Sequence, residues 1–320
     1  MKKRFQKNVR KTGAALGVGA LGLAAFFVGN DRAAKRAAIE ATAALVAPGP
    51  GAAVAGPVPT SWDLPNLDHD RVEYWIGRFQ TDKRQDLETY LKRMGHYATL
   101  ISAELTRREM PQDLVYLAMI ESGFNPKAYS HARASGLWQF IGATALRYGL
   151  DINRAVDERN DPVKATTAAL DYLSDLHDRF GSWYLAAAAY NMGENGLTRI
   201  LRSALGRTRG TDEDYYKLWN RLPRETRDYV PIMVAAARIS KEPLKYGFTQ
   251  VEPFAPLAFQ EVVAAPATPL LTLAKRAGTT VAQIRTMNPH LKLNRTRNDE
   301  PMIVRVPAAG VDVAAVGAAD

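Results

Sequence analysis

From 62 to 248 apolar side chains recur at helical spacing, broken only by short Gly, Pro and Asn punctuation, and this pattern decides most of what the chain can become. In the stretch 163–180, for instance, Leu170, Leu173, Leu176 and Phe180 fall on one face of a helix and offer nothing to a pleated strand. No alternating segment of useful length interrupts 62–248, so one all-helical domain is expected over 61–248. After 248 the texture changes to short, proline-spaced segments, which mark a second, small α+β domain over 249–309, followed by a flexible tail at 310–320. The expected fold class is therefore mainly α.

Charge sorts the rest of the chain. The 42 Lys and Arg against 33 Asp and Glu leave a net +9. Lys2, Lys3, Arg4, Lys7, Arg10 and Lys11 supply six of those charges ahead of an uncharged run at 12–29. With so little excess left for the remainder, the basic balance reads as membrane topology and excludes nucleic acid as a partner. The 18 residues of 12–29 would span about 27 Å as a helix at about 1.5 Å per residue, just enough for a bilayer core. They read as an export signal, and the exit Phe26-Phe27-Val28-Gly29-Asn30 lacks a good small-x-small cleavage site, so both a removed signal peptide (1–29) and a retained anchor stay open. Residues 30–60 are rich in Ala, Pro and Gly and read as a linker. The absence of cysteine excludes disulfides, thiolate metal sites, a thiol nucleophile and a cysteine-borne lipid anchor. An exported protein of the cell envelope is expected.

One helix carries the chemistry. Pro111 suits a first helical turn and Gly123 a stop, with about twelve residues between. Along it Leu114, Leu117, Ala118 and Glu121 share a face, and Val115, Tyr116, Met119 and Ile120 make the other faces apolar. A glutamate at the last turn of a buried helix is costly when ionised: desolvation and the negative helix C-terminus both raise its pKa. Such a group suits proton donation to a leaving oxygen near neutral pH. The alternative at this point is a frayed end with Glu121 in solvent.

The string IESGFNPKAYSHARASGLWQFIGATALRYGL is followed by DERNDP, AAAAYNMGENG and LPRETRDYVP. In that order, over 62–248, these motifs resemble the lytic transglycosylases with a goose-lysozyme-type catalytic domain, of the membrane-bound murein transglycosylase D type. The resemblance implies a peptidoglycan substrate and no cofactor or metal. It assigns Glu121 as catalytic acid and base, and Ser130 as the hydroxyl bonded to its carboxylate. It further assigns Gln139 as a sugar-contacting amide, Tyr190 and Asn191 as cleft-lining residues, and Glu225 and Tyr229 as the last motif, with the tyrosine toward the acid. Trp138 is expected either to pack in the core or to stack at the groove. Arg133 stands where the family shows a small residue, and is strained there if the turn needs positive φ.

Carboxylate counting bears on the reaction. Glycosidases that use water need two carboxyl groups, whereas a lone Glu suffices when the nucleophile belongs to the substrate. The resemblance implies that the muramic acid 6-hydroxyl closes on its own anomeric carbon to give a 1,6-anhydro sugar. Glu225, Glu158 and Asp161 are candidate second carboxylates, which keeps muramidase hydrolysis as the alternative, alongside a catalytically silent glycan-binding scaffold. Asp161-Pro162 itself reads as a helix start. In the second domain a strand at 261–263, helices at 271–277 and 280–287, and a strand at 302–306 resemble a divergent LysM-type module. Its role is either glycan binding or packing on the catalytic unit.

Overall fold

The computed structural model describes residues 60–308. Its helices follow in order as α1 Asp70–Gln80, α2 Arg84–Arg107, α3 Val115–Ser122, α4 Gly142–Arg147, α5 Pro162–Phe180, α6 Trp183–Met192, α7 Glu194–Leu205, α8 Asp212–Lys217 and α9 Arg224–Lys241. After them come β1 Phe259–Ala264, α10 Leu270–Arg276, α11 Val281–Met287 and β2 Met302–Pro307. The segment 1–29, the linker up to 59 and the tail from 309 lie outside the described residues. Among the described residues no helix is long and apolar enough to cross a membrane.

The helical part is organised around α6 and α9. Ala186, Ala187, Ala188 and Ala189 are all buried on α6, and such small side chains let α5, α7 and α9 approach closely. α9 packs against α1, α3 and α6 and buries Tyr229, Val230, Met233 and Val234. Pro231 lies inside it, where it donates no backbone hydrogen bond. The start of the domain is latched to the entry of α3. The Asp63 carboxylate accepts the Gln112 and Asp113 amides at 2.5 and 3.0 Å, and Asp113 returns the contact by accepting the Asp63 and Leu64 amides at 3.1 and 3.2 Å. Lys241, at the end of α9, closes a buried ion pair with Asp113 at 2.6 Å.

Helix α5 begins as its sequence requires, with Asp161 as N-cap accepting the Val163 and Lys164 amides and Pro162 in the first turn. Asp161 does more than cap. One of its oxygens lies 2.9 Å from Arg305 of β2 and the other 3.2 Å from His290 Nδ1, and all three residues are buried. Burial, the largest single influence, would raise the Asp161 carboxyl, but the charge and hydrogen bond of Arg305 together with the nearby His290 and Lys164 hold the group below the usual carboxylate range. Burial pushes His290 down to about 4, so it is neutral near neutral pH and Arg305 carries the compensation.

The C-terminal part has the order strand, helix, helix, strand. β1 and β2 pair antiparallel from Phe259 opposite Pro307 to Ala264 opposite Met302. Leu270, Leu273, Ile284 and Val304 form its own small core, which Val156 of the helical part joins. The Asp157 amide donates to the His290 carbonyl and the Lys292 amide to the Ala155 carbonyl, both at 2.9 Å. The connecting segment lies on α2: the Phe254 amide donates to the Lys92 carbonyl, and His96 stacks on Phe254 with ring centres 4.9 Å apart.

Candidate active site

Helix α3 enters through one 3-10 turn at Gln112–Leu114 and buries Val115 to Met119. It stops at Gly123, whose backbone is left-handed at φ 59°. A side chain there would also strike Tyr90, since an added Cβ would lie 2.1 Å from its ring. Glu121 is thus fixed one residue before the helix end, half-buried rather than frayed into solvent. From α9, the hydroxyl of the buried Tyr229 donates to Glu121 Oε1 at 2.5 Å. Burial pushes the Glu121 carboxyl up to about 7; the Tyr229 bond opposes that rise and the Glu225 charge adds to it. A carboxyl poised there holds its proton in the ground state and can release it near neutral pH.

The other residues singled out in the sequence divide around this pair. Asn191, at the end of α6, donates to Glu225 Oε1 at 3.1 Å and accepts the Thr226 hydroxyl at 2.8 Å, which ties α6 to the first turn of α9. Tyr190 donates to the Trp138 carbonyl at 2.7 Å. Burial first, and then the nearby Glu121 charge, raise the Tyr190 phenol well above its ordinary value.

One expectation needs correction and two are narrowed. The Ser130 hydroxyl accepts the Ala134 amide at 3.1 Å instead of bonding the Glu121 carboxylate, because it closes the tight turn 130–134 in which the Ser130 amide also donates to the Ala134 carbonyl. Gln139 sits at φ 47° and spends its side-chain NH2 on the Ala128 and Gly136 carbonyls, so only its Oε1 end stays open to a ligand. Trp138 is fully buried, with its indole N–H donating to Thr166 at 3.0 Å, which removes the groove-stacking role. Arg133 does adopt the left-handed backbone, at φ 62°.

Two of the three candidate second carboxylates are consumed by structure. Glu158 is buried, accepts the Asp151 amide at 2.8 Å and pairs with Lys164. Asp161 is spent on the α5 cap and Arg305. Glu225 is the exposed one, joined to Asn191. No group of three or more His, Asp or Glu side chains is arranged to hold a metal ion among the described residues.

Sequence reasoning missed Arg159. Its guanidinium donates to the Arg133 and Phe140 carbonyls of the loop 128–140 at 2.8 and 3.1 Å, and to Asp157 at 2.9 and 2.7 Å. The available signal was the DERNDP motif, whose two charged residues at 157 and 159 had no assigned task.

Residues 99–210 match the transglycosylase SLT domain. The chain is 33% identical over 246 residues to membrane-bound lytic murein transglycosylase D of Escherichia coli K12, covering 77% of this chain and 53% of that protein. It is 42% identical over 116 residues to a putative tributyltin chloride resistance protein of an Alteromonas species, covering 35% and 56%. The 70 kDa soluble lytic transglycosylase of Escherichia coli aligns with 54% of this chain and 28% of its own, at 24% identity and a TM-score of 0.42. The chain spans about half the length of the sequence relatives it matches. It carries an SLT domain.

Proposed function

We propose that this SLT-domain chain is a peptidoglycan lytic transglycosylase that cuts the bond between N-acetylmuramic acid and N-acetylglucosamine without consuming water. The observation that carries the reading is Glu121 with its carboxyl pushed up to about 7 and its Oε1 held by Tyr229. The protonated Glu121 gives its proton to the leaving glycosidic oxygen as the bond to the anomeric carbon breaks. The muramic acid 6-hydroxyl then forms a bond to that carbon and yields its proton to the Glu121 carboxylate, which restores the starting state. No proton or water is left over, and the product ends in a 1,6-anhydro ring. Holding nucleophile and electrophile in one sugar makes the attack intramolecular, a large part of the rate. Tyr229 keeps the carboxylate oriented between the two transfers, while Asn191, Tyr190 and Gln139 Oε1 line the approach and Glu225 tunes the acid by its charge.

The comparisons support the substrate class through the names of the relatives, and the export signal at 12–29 supports action in the cell envelope, at the membrane if that segment is retained. We read the strand-helix-helix-strand unit at 249–309 as LysM-like. The test is a digest of purified peptidoglycan with mass spectrometry of the soluble muropeptides. Ends one water lighter than reducing ends, lost in E121Q, are expected. Reducing-end muramic acid as the main product would establish hydrolysis, with Glu225 as the second carboxylate.

A further inference from the structure

We propose that Arg159 is a positioning residue for substrate binding: it holds the wall loop 128–140 against Glu121's helix and links that loop to the C-terminal module. This rests on the peptidoglycan reading of the cleft. The loop has little regular structure of its own. Its shape depends on backbone carbonyls turned inward, and Arg159 satisfies two of them, at Arg133 and Phe140. Arg133 and Gln139, like Gly136, sit at positive φ, a conformation that the two side-chain-bearing residues keep only when their surroundings impose it. The fit is tight: a Cβ on Gly136 would lie 1.8 Å from the Arg159 carbonyl oxygen. Beside it Ser135 donates to Asn160 Oδ1 at 2.7 Å, and Ser122, next to Glu121, donates to the Leu137 carbonyl at 2.9 Å. The loop is therefore fastened on one side to the catalytic helix and on the other to 157–160.

Asp157 completes the link. Its carboxylate takes the other edge of the Arg159 fork, and its amide donates to the His290 carbonyl of the C-terminal module. A planar fork that serves a carboxylate and two carbonyls at once is a task a lysine cannot perform. The chain of contacts from His290 through Asp157 and Arg159 ends at the loop that presents Gln139 Oε1. It touches neither Glu121 nor Tyr229, so it should govern how substrate is held and leave the acid untouched.

The experiment uses the full chain and compares R159K and R159M with wild type in muropeptide release at varied peptidoglycan concentration and pH, and E121Q with E121Q/R159K in co-sedimentation with intact peptidoglycan. The expected result is a KM raised about tenfold in both variants, as for loss of charge-assisted hydrogen bonds, with kcat and the alkaline limb of the pH profile kept and a parallel loss in sedimentation. An unchanged KM with a lowered melting temperature would reduce Arg159 to a structural residue and overturn the proposal. A displaced alkaline limb would also overturn it, because Arg159 would then act on Glu121 itself. Reducing-end products with the KM effect intact would sink the lytic reading and leave the Arg159 role standing. Failure of E121Q to bind peptidoglycan would sink both.

Discussion

Replacing Tyr229 with Phe removes one hydroxyl from the site and should move the alkaline limb of its pH profile upward. The hydroxyl donates to Glu121 Oε1 at 2.5 Å, from a side chain only 6% exposed, so water does not readily take its place. A hydrogen bond to the charged form favours ionisation, and its loss must raise a carboxyl that burial has already pushed up to about 7. Hydrogen bonds to charged groups are worth about 1.5–3 kcal/mol net, which at about 1.4 kcal/mol per unit corresponds to a rise of roughly 1–2 pH units. Glu121 must be protonated to act first as an acid. Under substrate-limiting conditions, muropeptide release by the wild type should therefore fall above about pH 7, and Y229F should hold its lower maximal rate to a more alkaline pH. The charge of Glu225 acts in the opposite sense, so E225Q should move the limb toward acid and serves as the internal control. A limb that stays fixed in Y229F, or moves toward acid with the fold intact by circular dichroism, would refute the assignment of Tyr229 as the donor that tunes Glu121.

The same burial predicts a stability effect. The unfolded Glu121 ionises near its ordinary value of 4.5 while the folded one keeps its proton to about 7, so the wild type loses stability as pH rises through that window. E121Q should be the more stable protein at pH 8 by on the order of 2–3 kcal/mol in urea unfolding, with the advantage gone near pH 4. R305M leaves a carboxylate at 2% exposure without its cation and should cost about 3–5 kcal/mol by thermal unfolding, part of which D161N/R305M recovers. R133G relieves a left-handed backbone at φ 62° and should raise stability by about 1 kcal/mol, or about 2–4 °C in melting temperature.

The setting of Glu121 was legible because an apolar run that has to be buried carries the carboxylate with it to the helix end. The start of α5 was equally legible, since Asp161 and Pro162 are local signals that act on their own neighbours. What was misassigned or left open depends on distant partners. Ser130, Gln139 and Trp138 are set by a loop whose carbonyls are taken by Arg159, up to 26 residues away, and by Thr166, 28 residues away. No periodicity announces such a meeting. Nor did anything near Asp161 announce Arg305: the cap was visible, and the charge that makes its burial tolerable lies in the last strand of the fold.

That arrangement imposes an order on how the protein matures. Asp161 must be ionised and buried to start α5, yet the cation that permits its burial is synthesised 144 residues later. A nascent chain that has not yet released Arg305 faces a choice between a solvated Asp161, with the loop before α5 unfastened, and a buried charge without its main counter-ion. The favourable choice is to wait. The segment before α5 then sets only once β2 has paired with β1. Pulse-labelled hydrogen exchange on refolding should find the Val163 and Lys164 amides protected together with those of Val304 and Val306, and not before them.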